Sequence, residues 1–457
     1  MSYKSVNPYT GQLLQSYPEH TDEEMMEALL RADVRFRSFG TLAYRTAILK
    51  RAAALMIERC ESLAQIATAE MGKRIAESRW EVGLSAKILE YYADNAARFL
   101  ESRPLDSSLG EAWIEFEPIG VLVGIEPWNF PYYQLTRFVG PNFAAGNTIL
   151  MKHAPGVPQC ALAFEQIMVD AGAPDGAYIN LFLSNEQVAR LIEDPRVQGV
   201  ALTGSERAGE AVAAQTGKHL KKTILELGGS DAFIVLDDFD PKLAAKHAVQ
   251  GRMINAGQAC GASKRFIVID SVADEFLSEF VRLLSGFRPG DPADESTTLA
   301  PLCSQTALNR IEGQLKTAIE NGAKVLLGGN RLPGPGAFIE PTVLTGVAPE
   351  NPAFRMEFFG PVALFFRAKN EDEALAIAND SPFGLGGSIC TNDPERAKRL
   401  ASRLQTGMVF LNSSVVTAPE LPWGGIKRSG YGRELSPLGI EEFVNKKLVI
   451  RPAMVGA

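Results

Sequence analysis

From Gly120 onward the chain alternates short apolar runs with amphipathic segments, and this alternation limits the fold more than any other feature. "GVLVGIE" reads as a buried strand. "TILMK" precedes a helix near 158–171, "YINLF" one near 186–193 and "VQGVALTG" one near 206–217, with "KTILEL" after it. Apolar runs too short for helices, separated by segments with three- and four-residue apolar spacing, predict strand–helix–strand units. Such units build a parallel sheet with helices on both faces. A second series starts at "AFIVL", passes a helix near 241–253, and runs through "RFIVI", "KVLLGG", "VALFF", "GSIC" and "GMVFLN". An α/β fold with two parallel-sheet domains is expected. The break falls near residues 225–232, "LELGGSDA", where Gly228 and Gly229 permit a sharp turn.

The flanks read differently. Residues 22 to about 100 carry helical apolar spacing, with Asp22 and Glu23 where a helix start favours acids. "AWIEFEP" alternates like a half-exposed strand, and "VNKKLVIRPAMV" reads as a strand near the chain end. A strand there requires a neighbour, which "AWIEFEP" or a second subunit can supply. The length, 457 residues, fits two or three domains. A net charge of -8 argues against nucleic acid as the main partner. Cys60, Cys160, Cys260, Cys303 and Cys390 are widely spread, with no CxxC pair, which predicts a reducing compartment. No Cys/His cluster has zinc spacing, so no metal is expected. The start of the chain lacks a signal-like apolar region, and no apolar run has transmembrane length. These features predict a soluble, cytoplasmic protein without a membrane partner.

Five residues stand out chemically. In "NAGQACGASKRF", Cys260 is surrounded by Gly257, Ala259, Gly261, Ala262 and Ser263, which leave room to reach the sulfur. It is either a nucleophile or an inert core thiol. Glu226 lies in an apolar strand run before two glycines. It is either a desolvated general base or a solvated or salt-bridged strand-end acid. Asn129 in "EPWNFP" is either an oxyanion donor or the N-cap of the next helix. Gly204 at a strand-to-helix turn suits an anion, and Lys152 at a strand end suits a ribose or phosphate, although a solvated lysine fits equally well.

The motifs "NPYTG", "EMGK", "PWNFP", "MKHAP", "TGS", "LELGG", "GQAC", "EFFGP" and "PWGGIKRSGYGRE" occur in this order over nearly the whole chain. Together they resemble the aldehyde dehydrogenase superfamily. The resemblance implies two Rossmann-like domains and an oligomerisation β-hairpin. It implies a dinucleotide-binding domain at 1–111 and 125–227, a catalytic domain at 228–424, and an oligomerisation segment at 112–124 and 425–457. It makes Cys260 the nucleophile, Asn129 with the Cys260 amide the oxyanion site, and Glu226 the base for thioester hydrolysis. Lys152, Trp128, Gly204, Ser205, Glu357 and Phe359 would bind the cofactor, NAD or NADP. Many NAD-preferring relatives carry a glutamate three residues after the lysine; here Pro155 stands there, so NADP or dual use is expected. The motifs look most like the succinate-semialdehyde dehydrogenase branch. Within it, Arg137 would meet a substrate carboxylate unless it is a structural arginine, and Ser413, Ser414 and Thr417 would line the substrate mouth. A homodimer or homotetramer is implied. A CoA-acylating relative and an inactive structural relative are the other readings, and the presence of Cys260 and Glu226 speaks against the second.

Overall fold

The structure, a computed structural model, describes residues 3–453. The helical reading of the first hundred residues holds as four helices, Asp22–Phe36, Leu42–Glu58, Cys60–Met71 and Ile75–Phe99. Thr21 and Glu24 close a reciprocal capping box at the first of them, which satisfies two otherwise orphaned backbone donors. Two strands that periodicity did not reveal, Tyr3–Val6 and Leu13–Tyr17, pair ahead of these helices.

The first α/β series forms a six-stranded sheet in the order Gly430–Tyr431, Lys222–Glu226, Val197–Thr203, Val121–Glu126, Thr148–His153, Tyr178–Asn180. All neighbours are parallel except the short Gly430–Tyr431 strand. Chain order reverses between Val121–Glu126 and Val197–Thr203. In open α/β sheets a ligand crevice lies at the carboxyl ends of the strands at such a reversal. Helix Pro131–Ala145 is buried along its whole length between this sheet and the Leu42–Phe99 helices, so its polar residues Gln134, Arg137 and Asn142 must find partners inside the protein.

The second series forms a seven-stranded sheet around Asp231–Val235, Ser263–Ile269 and Val362–Ala368. Lys324–Leu327 is an antiparallel edge strand, and Thr342–Thr345, unmarked by the sequence reading, separates it from Val362–Ala368. The chain crosses from one sheet to the other between Glu226 and Asp231, where the glycine pair was expected to allow a turn.

Val444–Pro452 pairs antiparallel with Gly110–Pro118 of the same chain, and Arg103–Leu105 adds a third strand. Register thus divides the expected 112–124 segment at Gly120. Ala112–Pro118 belongs to this small sheet, while Val121 onward is central in the six-stranded one. The expected 425–457 segment is divided too. Ile426–Lys427 pairs with Phe383–Gly384, and Gly430–Tyr431 extends the six-stranded sheet. Residues 454–457 lie outside the described residues. No helix among the described residues is long and apolar enough to cross a membrane.

Candidate active site

Cys260 sits just ahead of strand Ser263–Ile269 on a loop with unusual backbone. Asn255 and Ala256 both have φ of 51°, and Gly257 follows with φ of 79°. Left-handed backbone costs a residue with a Cβ about 1 kcal/mol or more, so surrounding contacts must hold it. The Asn255 N–H donates to Glu77 Oε1 at 2.9 Å, and Asn255 Nδ2 donates to the Asn129 carbonyl at 2.8 Å. Arg252 donates to the Gly257 carbonyl at 2.6 Å and the Ser263 carbonyl at 2.9 Å. Lys264 Nζ donates to the Ala259 and Cys260 carbonyls at 3.1 and 2.6 Å. The main chain on both sides of the sulfur is therefore clamped by buried cations and amides.

The loop opens into a cavity of about 360 Å³ lined by Cys260, Asn129, Glu226, Trp128, Gly204 and Ser205. Glu357 and Phe359 complete this wall from the other sheet. Cys260 is partly exposed to it, not a packed core thiol. Burial raises its thiol well above the ordinary value; Glu226 adds to the shift, while Arg137 and Lys264 oppose it. The resting sulfur is thus protonated and must lose its proton on attack.

Glu226 is buried at the end of strand Lys222–Glu226, and neither carboxylate oxygen has a hydrogen-bond partner. Its solvated alternative is excluded. Burial raises its carboxyl above the usual range, against Arg137, whose Nη2 lies 3.7 Å from Glu226 Oε2. A dry carboxyl with a raised pKa and unfilled lone pairs has the properties of a general base.

Asn129 does not cap the following helix, whose N-cap is Phe130 without a side-chain bond. Its Nδ2 donates to the Gln258 carbonyl at 3.2 Å, which orients the amide and leaves a second N–H for a ligand oxygen. Asn129→Ala should lower kcat about 10²–10³-fold, the usual loss for one oxyanion donor, with Tm close to the parent's. Steady-state kinetics alongside thermal melts check it.

A thiol, a side-chain amide and a buried carboxyl group thus converge on one cavity. The sequence profile of the "Aldehyde dehydrogenase family" matches residues 1–449.

This chain belongs to the aldehyde dehydrogenase family.

A relative from Deinococcus radiodurans, named succinate-semialdehyde dehydrogenase [NADP(+)], is 50% identical over 449 residues, covering 98% of this chain and 94% of the relative. An Escherichia coli relative, named succinate semialdehyde dehydrogenase [NAD(P)+], is 42% identical over 97% of each chain. The crystal structure of succinic semialdehyde dehydrogenase from Streptococcus pyogenes with NADP+ superposes with a TM-score of 0.97 at 44% identity, covering 99% of this chain and 100% of that one. The mixed α/β architecture with its parallel sheets is that of aldehyde dehydrogenases.

The cavity suits the family's dinucleotide. Trp128 and Phe359 meet edge to face, 5.7 Å between centroids, and form an aromatic wall. Gly204 and Ser205 lead into helix Glu206–Lys218, whose N-terminus presents donors and a positive dipole end to an anion. Glu357 Oε1 accepts from the Gly229 N–H at 3.0 Å, and a Cβ at Gly228 would lie 2.5 Å from Glu357 Oε2. The buried Gln314 Oε1 on this wall has no partner, an acceptor site for a ligand hydroxyl. Lys152 lies outside the cavity lining, largely buried at the end of strand Thr148–His153, with Nζ 6.0 Å from the Tyr3 ring centroid.

The residues expected at the aldehyde dehydrogenase substrate mouth have the following partners. Arg137 forms an ion pair with Glu434, donating through Nε at 2.6 Å and through Nη2; its Nη1 is buried without a partner. Its guanidinium also lies over the Tyr133 and Trp423 rings, at 5.0 and 5.5 Å. Thr417 Oγ1 pairs with the Tyr133 hydroxyl at 2.8 Å, and the Ser413 hydroxyl donates to the Ser414 carbonyl at 2.9 Å. Ser414 lines a separate cavity of about 550 Å³ with Arg74 and Glu77, where neither Cys260 nor Glu226 reaches. Val415 and Trp423 stand between, against Gly261.

Sequence reasoning passed over Lys264, Arg252, Asn255 and Glu434. The first had a readable signal: in "SKRFIVI" three polar residues open an apolar run directly after the cysteine loop. All seven residues of that strand are buried, so its charges needed internal partners.

Proposed function

We propose that the chain oxidises succinate semialdehyde to succinate with NADP+, and with NAD+ as a second acceptor. The meeting of Cys260, Asn129 and Glu226 in one dry cavity supports the reading. The Cys260 sulfur attacks the aldehyde carbon as its proton is lost through the cavity to bulk water, which leaves Glu226 unprotonated for the later step. The Asn129 amide, with the Cys260 N–H, stabilises the oxygen that gains charge. Once bound, the dinucleotide supplies the hydride acceptor. Glu226 then takes a proton from the water that hydrolyses the Cys260 thioester, and release of the carboxylate makes the oxidation effectively irreversible.

Arg137 is proposed to face the far carboxylate of the substrate through Nη1, the guanidinium nitrogen without a partner. Arg137→Ala should raise KM for succinate semialdehyde at least about tenfold more than for a neutral aldehyde of similar length. Equal shifts would reduce Arg137 to the partner of Glu434.

The absence of a carboxylate at Pro155 supports NADP use. A glutamate there would repel a 2′-phosphate, so Pro155→Glu should raise KM for NADP+ roughly tenfold or more while sparing NAD+. Assaying short aldehydes with and without a terminal carboxylate against each dinucleotide tests the whole proposal. A preference for uncharged aldehydes would overturn the substrate assignment.

Two further readings complete the proposal. The three-stranded sheet exposes Leu105, Leu448 and Ile450, which supports its use in a homodimer or homotetramer. All five cysteines are free, which supports a cytoplasmic setting.

A further inference from the structure

Three parallel strands end in a row of polar side chains that the chemistry above uses only in part. Ile125 pairs in register with Leu202, and Thr203 with Glu226, so Glu126, Thr203 and Glu226 stand side by side at the strand ends. Register neighbours share a face, and adjacent strands lie about 4.8 Å apart. The Thr203 hydroxyl therefore lies between two carboxyl groups. All three side chains are buried. Both oxygens of Glu126, both of Glu226 and the Thr203 hydroxyl lack hydrogen-bond partners in the static structure. Thr203 and Glu226 line the Cys260 cavity, and Glu126 stands behind Thr203, away from it.

Burial disfavours charge on both carboxyls, and across the Thr203 strand the Glu226 charge disfavours a second one on Glu126. Position decides which one keeps the charge. Arg137 Nη2 is 3.7 Å from Glu226 Oε2, whereas among the described residues no cation forms an ion pair with Glu126. Burial pushes the Glu126 carboxyl well above its usual range; the Glu226 charge adds to this, while Arg137 and the Thr203 hydroxyl work against it. The other groups nearby bring no positive charge. The Tyr178 hydroxyl is buried and neutral. The His153 ring nitrogens face the Glu126 and Pro131 carbonyls, and burial lowers its pKa to about 4, so the neutral ring donates its one N–H to only one of them. Glu434 and Cys260 lie beyond Arg137 and Glu226.

We propose that Glu126 is the neutral acid of this pair and donates, through the Thr203 hydroxyl, a hydrogen bond that keeps Glu226 ionised for hydrolysis. The Glu126 O–H donates to Thr203 Oγ, and the Thr203 O–H donates to the Glu226 carboxylate. No covalent bond to carbon or sulfur changes. Glu126 acts through Thr203 and is a positioning residue. The proposal rests on Glu226 being the water-activating base.

The experiment separates acylation from hydrolysis by recording the pre-steady-state burst of reduced dinucleotide and the steady-state rate across pH. Glu126→Gln keeps a neutral donor and should hold kcat within about twofold. Glu126→Met keeps the bulk without the donor. Its burst should be full and its kcat roughly tenfold lower, the range expected for one hydrogen bond to a charged group. The acid limb of kcat should move up by roughly one pH unit, because the ionised Glu226 loses that bond. Thr203→Val should repeat this pattern and decides the matter should Glu126→Met not fold; Thr203→Ser should recover most of the loss. A glutamine variant as slow as the methionine one overturns the proposal, and so does a methionine variant with unchanged rate and acid limb. Glu226→Gln serves as control. If it hydrolyses normally, the base assignment itself fails; if it is slow while Glu126→Met and Thr203→Val are not, only the role of Glu126 fails.

Discussion

Cys260→Ser should abolish turnover, lowering aldehyde-dependent dinucleotide reduction at least about 10³-fold. The hydroxyl nearly matches the thiol in size, so the clamped loop from Asn255 to Lys264 keeps its backbone contacts, and the Tm should barely move. The loss is chemical. A serine hydroxyl ionises far less readily than a thiol, and this site already disfavours the anion by burial and by the Glu226 charge. Arg137 and Lys264 oppose that penalty only in part, and sulfur, which ionises more readily and attacks faster, tolerates the remainder better than oxygen. Initial rates at saturating cofactor, together with mass-spectrometric comparison of alkylation at position 260 in parent and variant, check the result. Undiminished dinucleotide reduction would remove the covalent route altogether.

Glu226→Gln should divide the reaction. The acyl group should still form, giving a burst of about one reduced dinucleotide per active site. Steady-state kcat should then fall roughly 10²–10⁴-fold, the usual contribution of a general base. Glutamine preserves the shape but cannot take a proton from water. Rapid-mixing absorbance at the reduced dinucleotide band measures both phases. In the parent protein, burial raises the Glu226 carboxyl above its usual range, so the base is lost by protonation at a pH above that of a solvated glutamate. Hydrolysis should therefore slow as pH falls through this raised value and level off above it, and the glutamine variant should lack that limb. If burst and steady state fell together, Glu226 would act before the thioester forms.

Much of this was readable from the chain because the relevant signals are local. Asp22 and Glu23 mark a helix start by their charge, and the apolar runs of the parallel sheets are bounded by amphipathic helices. Cys260, Glu226 and Asn129 each violate the composition of their surroundings, which makes them visible one at a time. What stayed hidden depends on register or on distant partners. Arg103–Leu105 is three residues long, with no periodicity to detect, and forms because Gly110–Pro118 turns back beside it. Arg137 reads as a candidate ligand group, yet the residue it binds, Glu434, arrives almost three hundred positions later. Glu126 looks like the end of a buried strand until its alignment with Thr203 and Glu226 sets it in one row with the Glu226 carboxyl. Ser413, Ser414 and Thr417 were named from the resemblance, and the loop turns them toward different neighbours.

The small sheet built from Gly110–Pro118 and Val444–Pro452 has a consequence for biosynthesis. A nascent chain displays the earlier strand, with its open row of amides and carbonyls, for as long as the ribosome takes to make three hundred more residues. The six-stranded sheet waits as well, since Gly430–Tyr431 seals the edge beside Glu226. A chain that lacks Val444–Pro452 leaves Gly110–Pro118 without its long neighbour, and such a bare strand edge is a template for clumping with its own copies.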